Sequence, residues 1–240
     1  MLEDIYLFAN RHEAGIKLAA RLSREPLIRE TDPNELLLLS IPSGGVVVGA
    51  TVARALNCPH DVIAVKKISC PWHRDVTIGA VAEYEMVTLN KEMVPECRQR
   101  GQSTGEAIEQ TKAIVKNFIH NFRGNCPLEV GGKVIILVDD GISTGETMNA
   151  ALKWLLAKGR IERPEYIMVA VPICSPHIAG SIAKLADKLI YLSMPTEFWA
   201  VGQYYWDYAP VTDEEIHHQL QAIHPVEIFA QQPQGIHAPA

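Results

Sequence analysis

Residues 135–147 read Ile-Ile-Leu-Val-Asp-Asp-Gly-Ile-Ser-Thr-Gly-Glu-Thr, and no other run constrains the chain as much. The four apolar residues suit a strand buried on both faces, as in a parallel sheet covered by helices. That strand delivers two adjacent carboxylates, Asp139 and Asp140, at its C-terminal end. A loop of glycine and hydroxyl residues follows and leads into a helix over 146–158. Ligands of open α/β sheets bind at this edge of the sheet. A helix start offers unpaired N–H groups and the positive end of the helix dipole, so it suits a phosphate. Gly145 lets the backbone approach closely, and Ser143, Thr144 and Thr147 add hydroxyl donors. The two acids cannot serve a phosphate, but they can accept hydrogen bonds from sugar hydroxyls or help hold Mg²⁺. The run therefore reads as a ribose 5-phosphate cradle over Gly141, Ile142, Ser143, Thr144, Gly145, Glu146 and Thr147, with Asp139 and Asp140 on the sugar and the metal. The plainer reading is a strand ending in a capped helix with two solvated aspartates; the full run favours the cradle.

The flanking pattern alternates strands and helices. Residues 11–24 form an amphipathic stripe of Ala14, Leu18 and Leu22 behind a capping Asn10. Leu36–Ile41 is a short apolar run, broken by Pro42-Ser43-Gly44-Gly45, and a helix is expected over 46–56. Asp61–Lys66 reads as the next strand, 77–90 as a hairpin or flap, and 104–122 as a helix. Strands at 133–138, 165–171 and 187–192 complete the set, with a helix opened by Ser175-Pro176 between the last two. Such alternation implies a Rossmann-like, doubly wound α/β fold whose mainly parallel sheet has five strands. The expected organisation is one domain over 1–229, with a flap at about 69–110 and a C-terminal hood at about 193–222. Residues 230–240 are expected to be a disordered tail. Phe198, Trp199, Tyr204, Tyr205, Trp206 and Tyr208 cluster in the hood, before a capping box at Thr212. Phe198, Tyr204 and Tyr205 could stack on an acceptor ring, or cap a sheet edge or a dimer contact.

A formal net charge of −6 argues against a broad nucleic-acid surface and leaves room for a small anion held by local cations. The five cysteines are odd in number and widely spaced, which reads as free thiols in a reducing compartment. Cys70 and His73 could form half a metal site, but no second pair stands near them in sequence. Neither a signal peptide nor an apolar stretch long enough to span a membrane is found. The expected location is the cytoplasm, with no membrane partner.

The 135–147 run resembles the signature of the type I phosphoribosyltransferases, with Gly141 standing where an aliphatic residue is usual. Over residues 8–220 the chain is similar to a subgroup of uncharacterised predicted phosphoribosyltransferases. The matching segments are Pro42-Ser43-Gly44-Gly45, Lys66-Lys67, Thr77-Ile-Gly-Ala-Val-Ala-Glu83 and Ala200-Val-Gly-Gln-Tyr-Tyr205. The resemblance implies a donor, 5-phosphoribosyl-1-pyrophosphate (PRPP), used with Mg²⁺ as cofactor, and a small nitrogenous acceptor such as a nucleobase. It also implies a place in nucleotide metabolism, a homodimer, and catalytic roles for Asp139, Asp140 and Lys67. It puts Ser43, Gly44, Gly45, Lys66 and Lys67 on the pyrophosphate, with Lys67 favoured over Lys66 because neighbouring strand side chains diverge. Ser43 departs from the subgroup, which carries arginine there; Arg74, Arg98 or Arg100 could compensate. Ser143 departs from the 6-oxopurine branch, where an aspartate serves the base. The alternative reading is a catalytically weak regulatory protein that binds PRPP or a nucleotide on the same fold.

Overall fold

The structure is a computed structural model that describes residues 7–71, 73–91, 93–98, 104–124 and 126–221, with backbone alone at 74, 75 and 96–98. Its centre is a parallel sheet of β1 (Leu36–Ser40), β2 (His60–Val62), β6 (Val134–Val138), β7 (Tyr166–Ile173) and β8 (Lys188–Ser193), in the order β2-β1-β6-β7-β8. Successive strand side chains point to opposite faces, and both faces are apolar. Leu37, Leu39, Ile135, Leu137, Val169 and Val171 meet Met148, Leu152 and Leu155 of α6 (Glu146–Leu156) on one side. Leu36, Leu38, Ile136, Val138 and Met168 meet Leu18 and Leu22 of α1 (Arg11–Leu22) and Val48 and Val52 of α3 (Gly44–Leu56) on the other. Uninterrupted apolar strands are thus the consequence of a sheet with helices on both faces. Asn10 caps α1, its side chain accepting from the Glu13 amide at 2.9 Å.

Strand order reverses between β1 and β6, and both strands end at the same edge. Ser40 stands opposite Val138, and the Ile41 amide donates to the Val138 carbonyl at 2.9 Å. Pro42–Gly45 and Asp139–Asp140 therefore emerge side by side, at the switch point where doubly wound sheets hold ligands.

A second, antiparallel sheet is formed by β3 (Lys66–Cys70), β4 (His73–Ala82) and β5 (Met86–Leu89). It corrects the expected strand over 61–66. The central-sheet strand stops at Val62, and Lys66 and Lys67 open the flap rather than close a core strand. The continuous apolar stretch Val62–Val65 hid the break, because every residue in it is buried. The weak alternation at 77–90 has a direct cause: Ala80 and Ala82 pack into the core beneath the flap, while Ile78 and Val81 pack with Ile68 and with Val115 of α5 (Thr104–Arg123).

The expectation of free thiols holds for Cys58, Cys126 and Cys174. Cys70 departs from it: buried at the end of β3, it is disulfide-bonded. Linear spacing does not report which sulfurs fold together. Short helices α2 (Pro26–Glu30), α4 (Met93–Arg98), α7 (Pro176–Ile182) and α8 (Asp213–Gln221), with a 3-10 turn at Val201–Tyr204, complete the described elements. Thr212 caps α8, its hydroxyl accepting from the Glu215 amide. The tail at 230–240 lies outside the described residues. Among those described, no helix is long and apolar enough to cross a membrane.

Candidate functional site

A cavity of about 260 Å³ opens at the switch point. Ser43 and Gly44 line it from the end of β1, Asp139 and Asp140 from the end of β6, Lys67 from β3, and Gly141, Ile142, Ser143, Gly145 and Thr147 from the loop into α6. Arg11 of α1, Val201 and Tyr208 close the remaining wall.

Two helix starts meet here. Gly44 and Gly45 are not a turn ahead of their helix, as the reading of a helix over 46–56 had them; they are the first turn of α3, with Ser43 as N-cap. α6 begins just after Gly145, its N-cap. Among the described residues no hydrogen bond engages the amides of residues 143–147, or those of Gly44 and Gly45. Each start therefore brings unpaired donors and a positive dipole end to the same cavity, whose wall includes Gly44, Ser143, Gly145 and Thr147 but not Gly45.

The packing is tight enough to dictate glycine at three places. A Cβ on Gly44 would stand 1.9 Å from Asp140 Oδ2 and 2.8 Å from Arg11 Nε. One on Gly141 would stand 2.6 Å from Val201 Cγ1, which explains why no aliphatic residue follows the two acids. Gly145 has φ +77°, a conformation L side chains rarely adopt, and its Cβ would meet Ile178 of α7 at 2.4 Å.

Asp140 and Asp139 differ in surroundings. Asp140 is buried; its Oδ2 accepts from Arg11 Nε at 2.7 Å, and its carbonyl accepts from the Tyr205 hydroxyl at 2.6 Å. Asp139 Oδ1 accepts the Asp140 amide at 2.8 Å. Burial, with the adjacent Asp140 charge, pushes the Asp139 carboxyl well above the ordinary aspartate range, against a smaller opposing pull from Lys67. Asp139 is thus a carboxylate short of positive charge. Among the described residues no cluster of three or more His, Cys, Asp or Glu could hold a metal ion. The donor set suits Mg²⁺ that takes one or two carboxylates and finds its other ligands on water and substrate phosphates.

Lys66 does not line this cavity. It faces a neighbouring one of about 330 Å³ between α5, α8 and the Pro42–Ser43 turn. Thr144 is exposed and Glu146 half-buried, and neither contributes to the cavity wall. The aromatic hood needs correction. Tyr204 and Tyr205 are buried and Phe198 is partly buried, all packed with Phe8, Ala14 and Ile173, and none of the three reaches the cavity. Tyr208 and Val201 reach it instead. The sequence reading also missed Arg11. Of the arginines proposed to compensate for Ser43, the side chains of Arg74 and Arg98 and all of Arg100 lie outside the described residues.

A family model described as the phosphoribosyl transferase domain matches residues 7–209. The chain belongs to that family. Within the phosphoribosyl transferase domain family, two curated Mycobacterium tuberculosis proteins, from strains CDC 1551 and H37Rv, are each named "Putative phosphoribosyl transferase". Each is 32% identical over 212 residues, 88% of this chain and 45% of the relative. The chain thus spans about half the length of the curated relatives it matches. The crystal structure of TT1426 from Thermus thermophilus superposes with a TM-score of 0.69 at 32% identity, covering 90% of this chain and 98% of that one. The family assignment bears out the resemblance drawn from the 135–147 run, and the central sheet bears out the expected fold.

Proposed function

We propose that the chain binds PRPP with Mg²⁺ in this cavity and transfers the phosphoribosyl group to a nitrogenous acceptor, releasing pyrophosphate. The observation that carries the reading is the convergence of two helix starts on one cavity with two carboxylates between them. A sugar with an anion at each end needs two anion seats and acceptors for its hydroxyls between the seats. The amides of 143–147 with the Ser143 and Thr147 hydroxyls would hold the 5-phosphate. Asp139 and Asp140 would accept from ribose hydroxyls. The amides of Gly44 and Gly45, with Lys67, would face the pyrophosphate, and Val201 and Tyr208 would border the acceptor.

In the transfer, the bond from the anomeric carbon to the pyrophosphate oxygen breaks and its electron pair leaves with pyrophosphate. The acceptor nitrogen forms the new bond, and its proton passes to the departing pyrophosphate. Bound Mg²⁺ supplies charge neutralisation to the phosphates. The protein's own work is to place the ends of the donor, stabilise developing negative charge with fixed donors, and keep water from the sugar. Asp139 and Mg²⁺ belong together here, because the ion would offset the carboxylate charge that burial disfavours. Ser143 in place of an aspartate weighs against a 6-oxopurine acceptor. A cytoplasmic homodimer is part of the same proposal.

One observation favours a second reading. Ser43 is exposed and carries no charge at the mouth of the pyrophosphate seat, so a regulatory protein that holds the donor without efficient turnover fits the same cavity. The deciding experiment measures calorimetric binding of PRPP with Mg²⁺ and pyrophosphate release across a panel of bases and amines. Release with any acceptor supports transfer, binding without release supports the regulatory reading, and absence of binding overturns both.

A further inference from the structure

We infer that Arg11 supplies the pyrophosphate cation that position 43 lacks, so that the first helix of the chain, not the loop or the flap, completes the leaving-group seat. This deepens the donor-site reading and rests on it. Among the described residues that line the cavity, the cations are Arg11 and Lys67. Lys67 comes from the flap sheet, whereas Arg11 comes from α1, which packs directly on α3 and so moves with the Gly44–Gly45 turn. The guanidinium is seated against that turn: a Cβ on Gly44 would lie 2.8 Å from Arg11 Nε. No side chain could be inserted between the two groups.

Its other contacts fix the orientation without exhausting the donors. Nε donates to Asp140 Oδ2 at 2.7 Å, Nη1 donates to the Ala209 carbonyl at 2.8 Å, and the guanidinium carbon stacks 3.9 Å from the Tyr208 ring centroid. A guanidinium has five N–H groups. Contacts to Asp140, Ala209 and the Tyr208 hydroxyl use at most three of them, leaving donors for an anion on the cavity side. The side chain is only 11% exposed, so an anion reaching it meets a cation that water screens weakly. Stacked and pinned at two corners, the fork is pre-organised, and little side-chain entropy remains to be lost on binding. A purely structural arginine would need only the Asp140 pair. Arg11 also borders the cavity itself and is bonded to the C-terminal segment that closes it, so ligand, α1 and residues 208–209 meet at one group.

The test uses the full chain and titrates two ligands separately, inorganic pyrophosphate with Mg²⁺ and ribose 5-phosphate. Arg11→Gln removes the charge; Arg11→Lys keeps a counter-ion for Asp140 and guards against a folding defect. Pyrophosphate affinity is expected to fall about 10- to 100-fold in Arg11→Gln and about tenfold in Arg11→Lys, as expected for a lost charged hydrogen bond. Ribose 5-phosphate affinity should fall by less than pyrophosphate affinity, and stay within about threefold in Arg11→Lys, which keeps the counter-ion of Asp140, since its phosphate seat is the α6 start. Adding Ser43→Arg to either variant should restore pyrophosphate binding, because it returns a cation to the same seat from the other side. Unchanged pyrophosphate affinity in both variants overturns the inference. So does a parallel loss of both ligands that Ser43→Arg does not repair, which would make Arg11 a structural partner of Asp140. A parent chain that binds neither ligand overturns the donor-site reading itself, and the inference falls with it.

Discussion

Asp140 Oδ2 accepts from Arg11 Nε at 2.7 Å, while Asp139 lines the cavity beside the Asp140 charge. The two acids adjoin in sequence, and their environments set them apart. Folded Asp139 holds its proton more tightly than the unfolded chain does, because burial and Asp140 disfavour its charge. The sign follows from linkage: what this group adds to stability is greatest below the ordinary aspartate value of 3.8 and declines as pH rises through the folded titration. At neutral pH its ionised form is a net cost. Asp139→Asn should therefore melt higher than the parent at pH 7, with the two melting curves converging in acid. The same variant should bind PRPP with Mg²⁺ about 10- to 150-fold more weakly, from the loss of one charged interaction. A variant that melts lower at pH 7, or binds as the parent does, contradicts this account of Asp139. The contiguous part of the site was legible in the sequence because strand, acids, loop and helix start follow one another. Arg11 was not, because 129 residues separate it from Asp140. Its only local signal is the Asn10 cap, which starts α1 one residue earlier.

At the scale of elements, the α6 start shows why the loop chemistry and the helix geometry are one requirement. Gly145 at φ +77° is the point where the chain leaves the 139–145 loop and enters the helix. A β-branched residue there meets a left-handed penalty of about 1–2 kcal/mol or more, besides the contact with Ile178. The close backbone approach that the sequence assigns to Gly145 thus has a packing reason beside it, since a side chain there would clash with α7. Gly145→Val should weaken ribose 5-phosphate binding about tenfold or more by calorimetry. Adding Ile178→Ala should not restore it, since the backbone penalty persists after the contact is relieved. Recovery in the double variant would show that the clash alone sets the loop. The hairpin β4–β5 was legible for a related reason, as each face of β4 meets a different apolar cluster. The handover from the central sheet to β3 was not, because Val62–Val65 is buried throughout and carries no periodicity. The hood left two readings open in the sequence for want of direction: an aromatic-rich segment looks alike whether its rings face a ligand or, as with Tyr204 and Tyr205, the core.

Across the whole molecule, the two sheets are joined at a buried charge pair. Glu83, at the end of β4, is fully buried, and its Oε2 accepts from Arg123 Nη2 of α5 at 2.8 Å. Its Oε1 accepts the Ala64 amide at 3.0 Å, and Arg123 Nη1 donates to the Val62 carbonyl at 3.2 Å. Both sides of the link between β2 and β3 are thereby fastened to the flap, and Lys67 is carried on the strand that follows. Removing one partner leaves the other charge buried, a loss of about 3–5 kcal/mol. In a domain of this size that amounts to a melting point lower by roughly 10 °C. Glu83→Gln should show this loss in thermal unfolding. Glu83→Leu combined with Arg123→Met should recover most of it, because an apolar pair of similar volume removes the stranded charge. The two anion seats should respond differently to Glu83→Gln well below its melting point. In the proposed site ribose 5-phosphate would rest on α6, outside the fastened link, so its affinity should persist. Pyrophosphate would depend in part on Lys67, so its affinity should drop. Equal loss at both seats would mean that the flap and the central sheet behave as one rigid unit, and that the pair stabilises the fold without setting the position of Lys67.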